Sequence, residues 1–242
     1  MTENRAPIVD LSHLTRREFR ERMAAGELQA AILPVAAVEQ HLEHLAMEHD
    51  WRSTYMVACR VAEALAPNVV VAPGVMTGIS EHHMKHPGTL TLAPGTFLAV
   101  LADLIDSLVR AGLKNILVLN GHGGNVAPVA GTWDQFLRRF QTNLHFLSYW
   151  DVLTDDDARE CLDGGPDALP GHAQEFETSV ALAHFPGNVR IEAMAEQPDR
   201  SPAKGSAETG RELTNRIVAR VADYVRGMIE GERAAEIPPF FP

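Results

Sequence analysis

Short apolar runs alternate along the chain with longer segments whose apolar residues recur at helical spacing. The short runs predict four β-strands, over residues 29–35, 68–72, 115–120 and 144–150. The longer segments predict five helices, over residues 53–66, 94–111, 126–140, 176–184 and 208–230. Because strands that alternate with helices are joined by right-handed crossovers, this order predicts an α/β fold with a mainly parallel sheet covered by helices.

The composition fits one soluble domain spanning residues 1–242. Hydrophobic residues make up 45% of the chain and charged residues 22%, which is enough apolar material for a core without disulfide bonds. Cys59 and Cys161 lie far apart, and residues 1–7 contain no apolar signal-peptide core, so we expect a cytoplasmic protein. No apolar run is long enough to span a membrane. The formal net charge of −11 argues against a nucleic-acid-binding surface.

Polar side chains that commonly bind metals are concentrated directly after the predicted strands. The segment Glu39-Gln40-His41, with Asp50 beyond it, follows the first strand, residues 80–86 follow the second, and residues 121–125 follow the third. Ligands of parallel sheets bind outside the carboxyl ends of the strands, which is where these segments are expected to meet. Eight of the eleven histidines lie in these segments or at 171–175, namely His41, His44, His49, His82, His83, His86, His122 and His172.

These segments offer carboxylates and imidazoles but no thiolate. In extended backbone Glu39 and His41 would project the same way, roughly 6–7 Å apart. Such a set suits zinc, manganese or iron rather than a structural zinc site, and a bridging Asp50 would allow two ions to be held for hydrolysis. The candidate ligands are Glu39, His41, Asp50, His122 and Glu175. The alternatives are a solvated loop at 39–50, a plain glycine turn around His122, and helix capping, which is the role favoured for Glu177.

Five motifs, in order along residues 30–190, resemble those of the creatininase family (creatinine amidohydrolase-like proteins). They are Leu33-Pro34-Val35 with Glu39-Gln40-His41 and Asp50, His86-Pro87-Gly88-Thr89, Asn120-Gly121-His122-Gly123-Gly124-Asn125, Ser148-Tyr149-Trp150-Asp151, and His172-Ala173-Gln174-Glu175-Phe176-Glu177-Thr178-Ser179. The resemblance implies a three-layer α/β/α sandwich. It also implies a two-metal centre, with zinc or manganese and possible use of iron, and a homohexamer.

The resemblance assigns roles to individual residues. Four positions match the family's metal ligands, with Asp50 as the bridge: Glu39, His41, Asp50 and His122. True creatininases carry a glutamate where this chain has Gly124, so Glu175 is expected to supply the missing carboxylate, with Glu177 as the open alternative. His172 matches a proton shuttle to the leaving group. Trp150 matches an aromatic pocket wall, and the other expected substrate contacts are Gly123, His83 and Glu43.

The expected activity is that of a metal-dependent hydrolase, in which a metal-bound hydroxide attacks a carbonyl of a small polar ring or a small amide. Creatinine itself is not the expected substrate. The loop at 164–171 lacks the tryptophan of creatininases, and Leu42-Glu43 replaces the usual Gly-Pro. The added polar residues indicate a more polar pocket, with the alternative that several of them face solvent: Glu43, His44, His82, His83 and Lys85. One alternative is a hydrolase that opens an inositol-derived cyclic ketone of the inosose type by C–C cleavage. A second alternative is a metal- or ligand-binding module without enzymatic activity.

Overall fold

The computed structural model describes residues 8–239, so the expectation for residues 1–7 lies outside the described part of the chain. Four parallel strands form one sheet in the order β2-β1-β3-β4. Their bounds are Ala30–Val35 (β1), Val69–Val71 (β2), Asn115–Asn120 (β3) and Asn143–Ser148 (β4). Val35 of β1 pairs with Asn120 of β3, which in turn pairs with Ser148 of β4, so these three strands end at one level.

Helices cover both faces of the sheet. Within the described residues they are Arg16–Ala24 (α1), His49–Ala64 (α2), Pro94–Arg110 (α3), Gly123–Ala130 (α4), Trp133–Arg139 (α5), Asp155–Cys161 (α6), Glu175–His184 (α7), Ile191–Glu196 (α8) and Ala207–Glu230 (α9). No helix within residues 8–239 is long and apolar enough to cross a membrane.

Alternate residues of each central strand enter opposite halves of the core. Ile32 and Leu117 pack with α2 and α9, whereas Leu33 and Val118 pack with α3 on the other face. All four side chains are almost completely buried, as expected for strands covered on both sides. The predicted three-layer α/β/α sandwich with a parallel sheet is therefore confirmed.

The predicted element boundaries differ from the structure in three places. The predicted helix over 126–140 is two helices, because the Thr132 hydroxyl donates to the carbonyls of Pro128 and Val129 and closes the last turn of α4. Helix α2 begins at His49, four residues before its predicted start, which places Asp50 in its first turn. The predictions also omitted three helices. No residue of α1 is buried, and the lengths of α6 and α8, seven and six residues, leave little periodicity to detect.

Candidate metal centre and active site

Five side chains that can bind metals converge beyond the carboxyl ends of β1 and β3. They come from the loop after β1, the first turn of α2, the residue before α4 and the first turn of α7. Each is at most 5% exposed to solvent: Glu39, His41, Asp50, His122 and Glu177. Buried charged groups are retained where they are paired or bind a metal, so this cluster has the character of a metal centre.

Asp50 lies between the two histidines of the cluster. Its Oδ1 is 2.9 Å from His41 Nε2, and its Oδ2 is 3.1 Å from His122 Nδ1. The second nitrogen of each ring faces a backbone carbonyl, His41 Nδ1 that of Glu39 at 3.0 Å and His122 Nε2 that of Ile79 at 2.9 Å. Because a carbonyl oxygen only accepts, these outer nitrogens carry protons, and the inner nitrogens are the ones directed at Asp50.

Glu39 and Glu177 extend the cluster on opposite sides of Asp50. Glu39 Oε1 is 3.3 Å from His122 Nδ1, and Glu177 Oε2 is 3.8 Å from His41 Nε2. The Oε2 atom of Glu39 is buried and has no hydrogen-bond partner within the described residues. An unpaired buried carboxylate oxygen is costly unless a cation satisfies it. The donor set thus fits two divalent cations that share Asp50.

The electrostatics of the cluster favour positive charge. Burial lowers the pKa of His41 and of His122, but the adjacent carboxylates, Asp50 above all, outweigh it and raise both pKa values to about 10. Burial opposes ionisation of Asp50, yet the two histidines hold its pKa below the usual range. Burial, reinforced by Asp50, raises the pKa of Glu177 to about 7. A metal ion would take over the charge that protons supply to these ligands.

The structure corrects the prediction that Glu175 is the fifth ligand. Its carboxylate turns away from the centre and accepts hydrogen bonds from the backbone N–H groups of Asp163 at 2.7 Å and Gly164 at 2.9 Å. Helix α7 begins at Glu175, and residues two apart on a helix point roughly 200° apart, so only one of the two glutamates can face the cluster. Glu177 is that residue, and it also accepts from the Ala173 N–H as a capping carboxylate would.

His172 lies beside the cluster, where the resemblance placed a proton shuttle. The side-chain amide of Gln40 donates from Nε2 to His172 Nε2 at 2.7 Å. Its side-chain oxygen Oε1 accepts from the Leu42 N–H, which fixes the orientation of the amide. The proton of the neutral His172 ring is therefore on Nδ1, which is 3.7 Å from Glu39 Oε1. Burial, with the charge of His41, lowers the pKa of His172 to about 4.

A cavity of about 310 Å³ opens over the cluster. Its walls include three of the four predicted substrate contacts, Trp150, His83 and Gly123, together with His172. A larger cavity of about 670 Å³ lies at the amino ends of β3 and β4, but no carboxylate or imidazole lines it. The smaller cavity is therefore the candidate active site.

The fourth predicted substrate contact, Glu43, is not part of this cavity. Its side chain is exposed, and its backbone N–H donates to Gln197. The chain turns at Leu42, which has a φ of 53°, so the alternation that would have directed Glu43 inwards is broken. The neighbouring His44 is buried against Thr178 and Gln197 and supports the loop instead of the pocket.

Two residues that the sequence interpretation treated as spacers hold the site together. Gln40 also contacts His83 Nδ1 at 3.0 Å, so one amide positions two cavity histidines. Asn125 accepts from the Ile79 N–H and donates to Asn120 and to the Ala36 carbonyl, linking three segments that follow strands. Both residues lie within the family motifs, whose candidate functional residues are their neighbours. The sequence signal for a structural role was that each is a polar residue close to candidate ligands.

Comparison with known proteins identifies the family. The family model for creatininase, described as creatinine amidohydrolase, matches residues 12–225. The chain is 29% identical to a creatinine amidohydrolase of Pseudomonas putida, covering 96% of this chain and 98% of that protein. It is 30% identical to a 3-dehydro-scyllo-inosose hydrolase of Thermotoga maritima, covering 90% of this chain and 70% of that protein. It is 33% identical to a mycofactocin precursor peptide peptidase of Mycolicibacterium smegmatis, covering 65% of this chain and 59% of that protein.

Solved structures share the fold. A crystal structure of creatinine amidohydrolase superposes with a TM-score of 0.81 at 28% identity, covering 95% of this chain and 99% of the other. A manganese creatininase gives 0.78 at 27% identity, over 90% and 98%. The Zn-Zn type of a mutant creatininase gives 0.76 at 28% identity, over 90% and 97%. Since the family model spans most of its length and solved creatininases share its fold, the chain belongs to the creatininase family.

Proposed function

We propose that this protein is a metal-dependent hydrolase that opens a small polar ring or cleaves a small amide. The observation that carries the proposal is Asp50, which directs one carboxylate oxygen at each of two buried histidines on the floor of a cavity. Such a carboxylate is suited to bridging two ions. The similarity to a creatinine amidohydrolase and to a 3-dehydro-scyllo-inosose hydrolase supports hydrolysis as the reaction.

Two sets of side chains would hold the ions. Glu39, Asp50 and His122 form one set, and His41, Asp50 and Glu177 form the other. The carboxylate and imidazole donors suit zinc and manganese, with iron as a further candidate, and solved relatives include a manganese and a Zn-Zn form. When bound, the ions polarise a carbonyl and lower the pKa of water so that it can attack at neutral pH.

His172 supplies the proton in this proposal. Its Nδ1–H is on the side of the ring that faces the cluster, and its Nε2 is held by Gln40. A donor in that position can protonate an atom that leaves a carbonyl carbon held over the cluster. The backbone N–H groups at the start of α4, beginning with Gly123, lie beside the same space and can stabilise developing negative charge on the carbonyl oxygen.

The test is metal analysis followed by turnover. The purified protein should hold two divalent ions per chain and hydrolyse at least one member of a panel of cyclic amides, small formamides and linear amides. Asp50→Asn should lose both the ions and the activity. His86→Ala, which changes an exposed histidine outside the cavity, is the matched control and should retain both. A metal-loaded protein with no turnover of any compound, including cyclic ketones, would favour a binding module without enzymatic activity.

A second candidate reaction is opening of an inositol-derived cyclic ketone. The His82 and His83 side chains line the cavity and give it a polar rim that could bind several hydroxyls. The Thermotoga maritima relative is named as a hydrolase of such a ketone. Turnover of inosose-type ketones with no turnover of amides in the panel would select this alternative.

We further propose that the chain acts as one catalytic domain in a homohexamer of the cytoplasm. The free cysteines Cys59 and Cys161 support a reducing compartment. The hexamer rests on the family resemblance, and light scattering of the purified protein tests it through the molar mass.

A further inference from the structure

Position 124, directly behind the ligand His122, cannot carry a side chain in this backbone. A Cβ atom built on Gly124 would lie 2.1 Å from the carbonyl oxygen of Ile79 and 2.5 Å from His122 Nε2. It would also lie 3.0 Å from Cε1 of His82. The imidazole of His82 therefore borders the space over this turn that a residue at position 124 would otherwise enter.

His82 is directed at the half of the centre formed by Glu39 and His122. Donor atoms of Glu39, His82 and His122 lie within 4.8 Å of one another, so small side-chain movements would let one ion contact all three. The rings of His82 and His122 are stacked, with centroids 5.8 Å apart and planes inclined by 15°. Within the described residues neither nitrogen of His82 has a hydrogen-bond partner, so one is available to coordinate.

The carboxylate of Glu39 gives independent evidence for a cation at this point. Its Oε1 faces His122, while its Oε2 is buried without a partner in the described part of the chain. Burial of an unpaired carboxylate oxygen requires compensation by a positive charge. The neighbouring His83 is a weaker candidate ligand, because its Nδ1 is engaged by Gln40 and its Nε2 is 3.8 Å from Glu39.

We infer that His82 is a fourth protein ligand of the ion held by Glu39, Asp50 and His122. The three other ligands are buried, whereas His82 is on the exposed 3₁₀ turn Glu81–His83 and forms the solvent-facing side of the coordination shell. The two halves of the centre then differ: one has a solvent-facing histidine, and the other is closed by the buried Glu177.

The experiment measures metal affinity without reference to turnover. Wild type, His82→Ala and the control His86→Ala are loaded with Co²⁺, titrated with a chelator, and followed through the d–d absorption bands. In characterised sites, removing a residue that hydrogen-bonds to a metal ligand lowers the metal affinity ten- to a hundredfold. Removing a direct ligand should therefore lower the affinity for one ion by at least about tenfold. Only His82→Ala should show this loss and an altered spectrum, and added imidazole should reverse both changes.

The inference rests on the proposed two-metal centre, and the outcomes separate the two. If His82→Ala binds two ions with the affinity and spectrum of the wild type, His82 is not a ligand, although the two-metal proposal stands. If the wild type itself retains no ion, both fail. His82→Gln, which keeps the size of the side chain, guards against an indirect effect of the cavity left by alanine and should show the same loss.

Discussion

Two separate variants, Glu177→Gln and Glu175→Gln, should have opposite effects on metal affinity and on stability. Glu177→Gln removes a negative ligand beside His41, from which Glu177 is 3.8 Å away. The pKa of this carboxyl is raised to about 7, so in the metal-free protein it is close to half protonated at neutral pH. The same carboxyl is ionised in the unfolded chain, so its raised pKa makes the metal-free fold less stable at neutral pH. A neutral amide of equal size should therefore raise the free energy of unfolding, by up to roughly 3 kcal/mol. Loss of this ligand should lower the affinity for one ion by at least about tenfold, which corresponds to roughly 1.4 kcal/mol of binding free energy.

Glu175→Gln should do the reverse. The Glu175 carboxylate accepts from two backbone N–H groups, and an amide has only one oxygen with which to replace two acceptors. One of these partly buried N–H groups then faces an N–H₂ group, which should lower the free energy of unfolding by about 1 kcal/mol. Metal content should stay at the wild-type level because the side chain faces away from the cluster.

The assay is urea denaturation of the metal-free variants together with metal analysis after dialysis against a chelator. Performing both measurements on both variants distinguishes a lost ligand from a weakened fold. Metal loss in Glu175→Gln with full retention in Glu177→Gln would refute the assignment of Glu177 and restore the sequence-based one. Equal metal loss in both would show that the effect is transmitted through α7.

Three further outcomes are expected. The pKa values of His41 and His122 are raised from 6.5 to about 10, so the stability that their protonation contributes to the metal-free protein is fully present below pH 6.5. That stability should be lost as the pH rises towards 10, which urea midpoints across this range would show, and a flat profile would contradict it. His172→Gln should retain both ions but lower kcat at least about a hundredfold on whichever substrate is turned over; metal loss would instead make it a ligand. Asp157 is buried and paired with Arg216 and Arg220, so Asp157→Ala should cost roughly 3 kcal/mol in urea denaturation, and a cost below about 1 kcal/mol would contradict the pairing.

Much of the fold was predictable because its signals are local. The buried runs of β1 and β3 contain almost only apolar residues, and their strand bounds were predicted to within one residue. The helix predicted over 126–140 failed for a local reason as well, since a threonine hydroxyl competes with the backbone for the carbonyls at the end of α4. Periodicity does not record such side-chain bonds, so it predicted one helix where there are two.

The residues of the metal centre likewise divide into those that local sequence signals identified and those that they did not. Glu39, His41, Asp50 and His122 were named from their residue types and from their places after strands, and the structure brings all four together. The choice between Glu175 and Glu177 depended on where α7 begins, because a shift of one or two residues rotates a different side chain towards the centre. Glu43 points away from the cavity because Leu42 adopts a left-handed conformation, and the glycine usual at that position in the family was the available signal for it.

The order of strands and helices, the α/β class and most of the donors that meet beyond β1 and β3 could be predicted from the sequence. These properties follow from the apolar pattern and from the rule that parallel strands end on one side of a sheet. Three-dimensional packing was needed to show which glutamate faces the cluster, which histidines line the cavity, and that His82 borders the space over Gly124. Those outcomes depend on helix phase and on contacts between segments distant in sequence, and neither is encoded in the neighbours of any one residue.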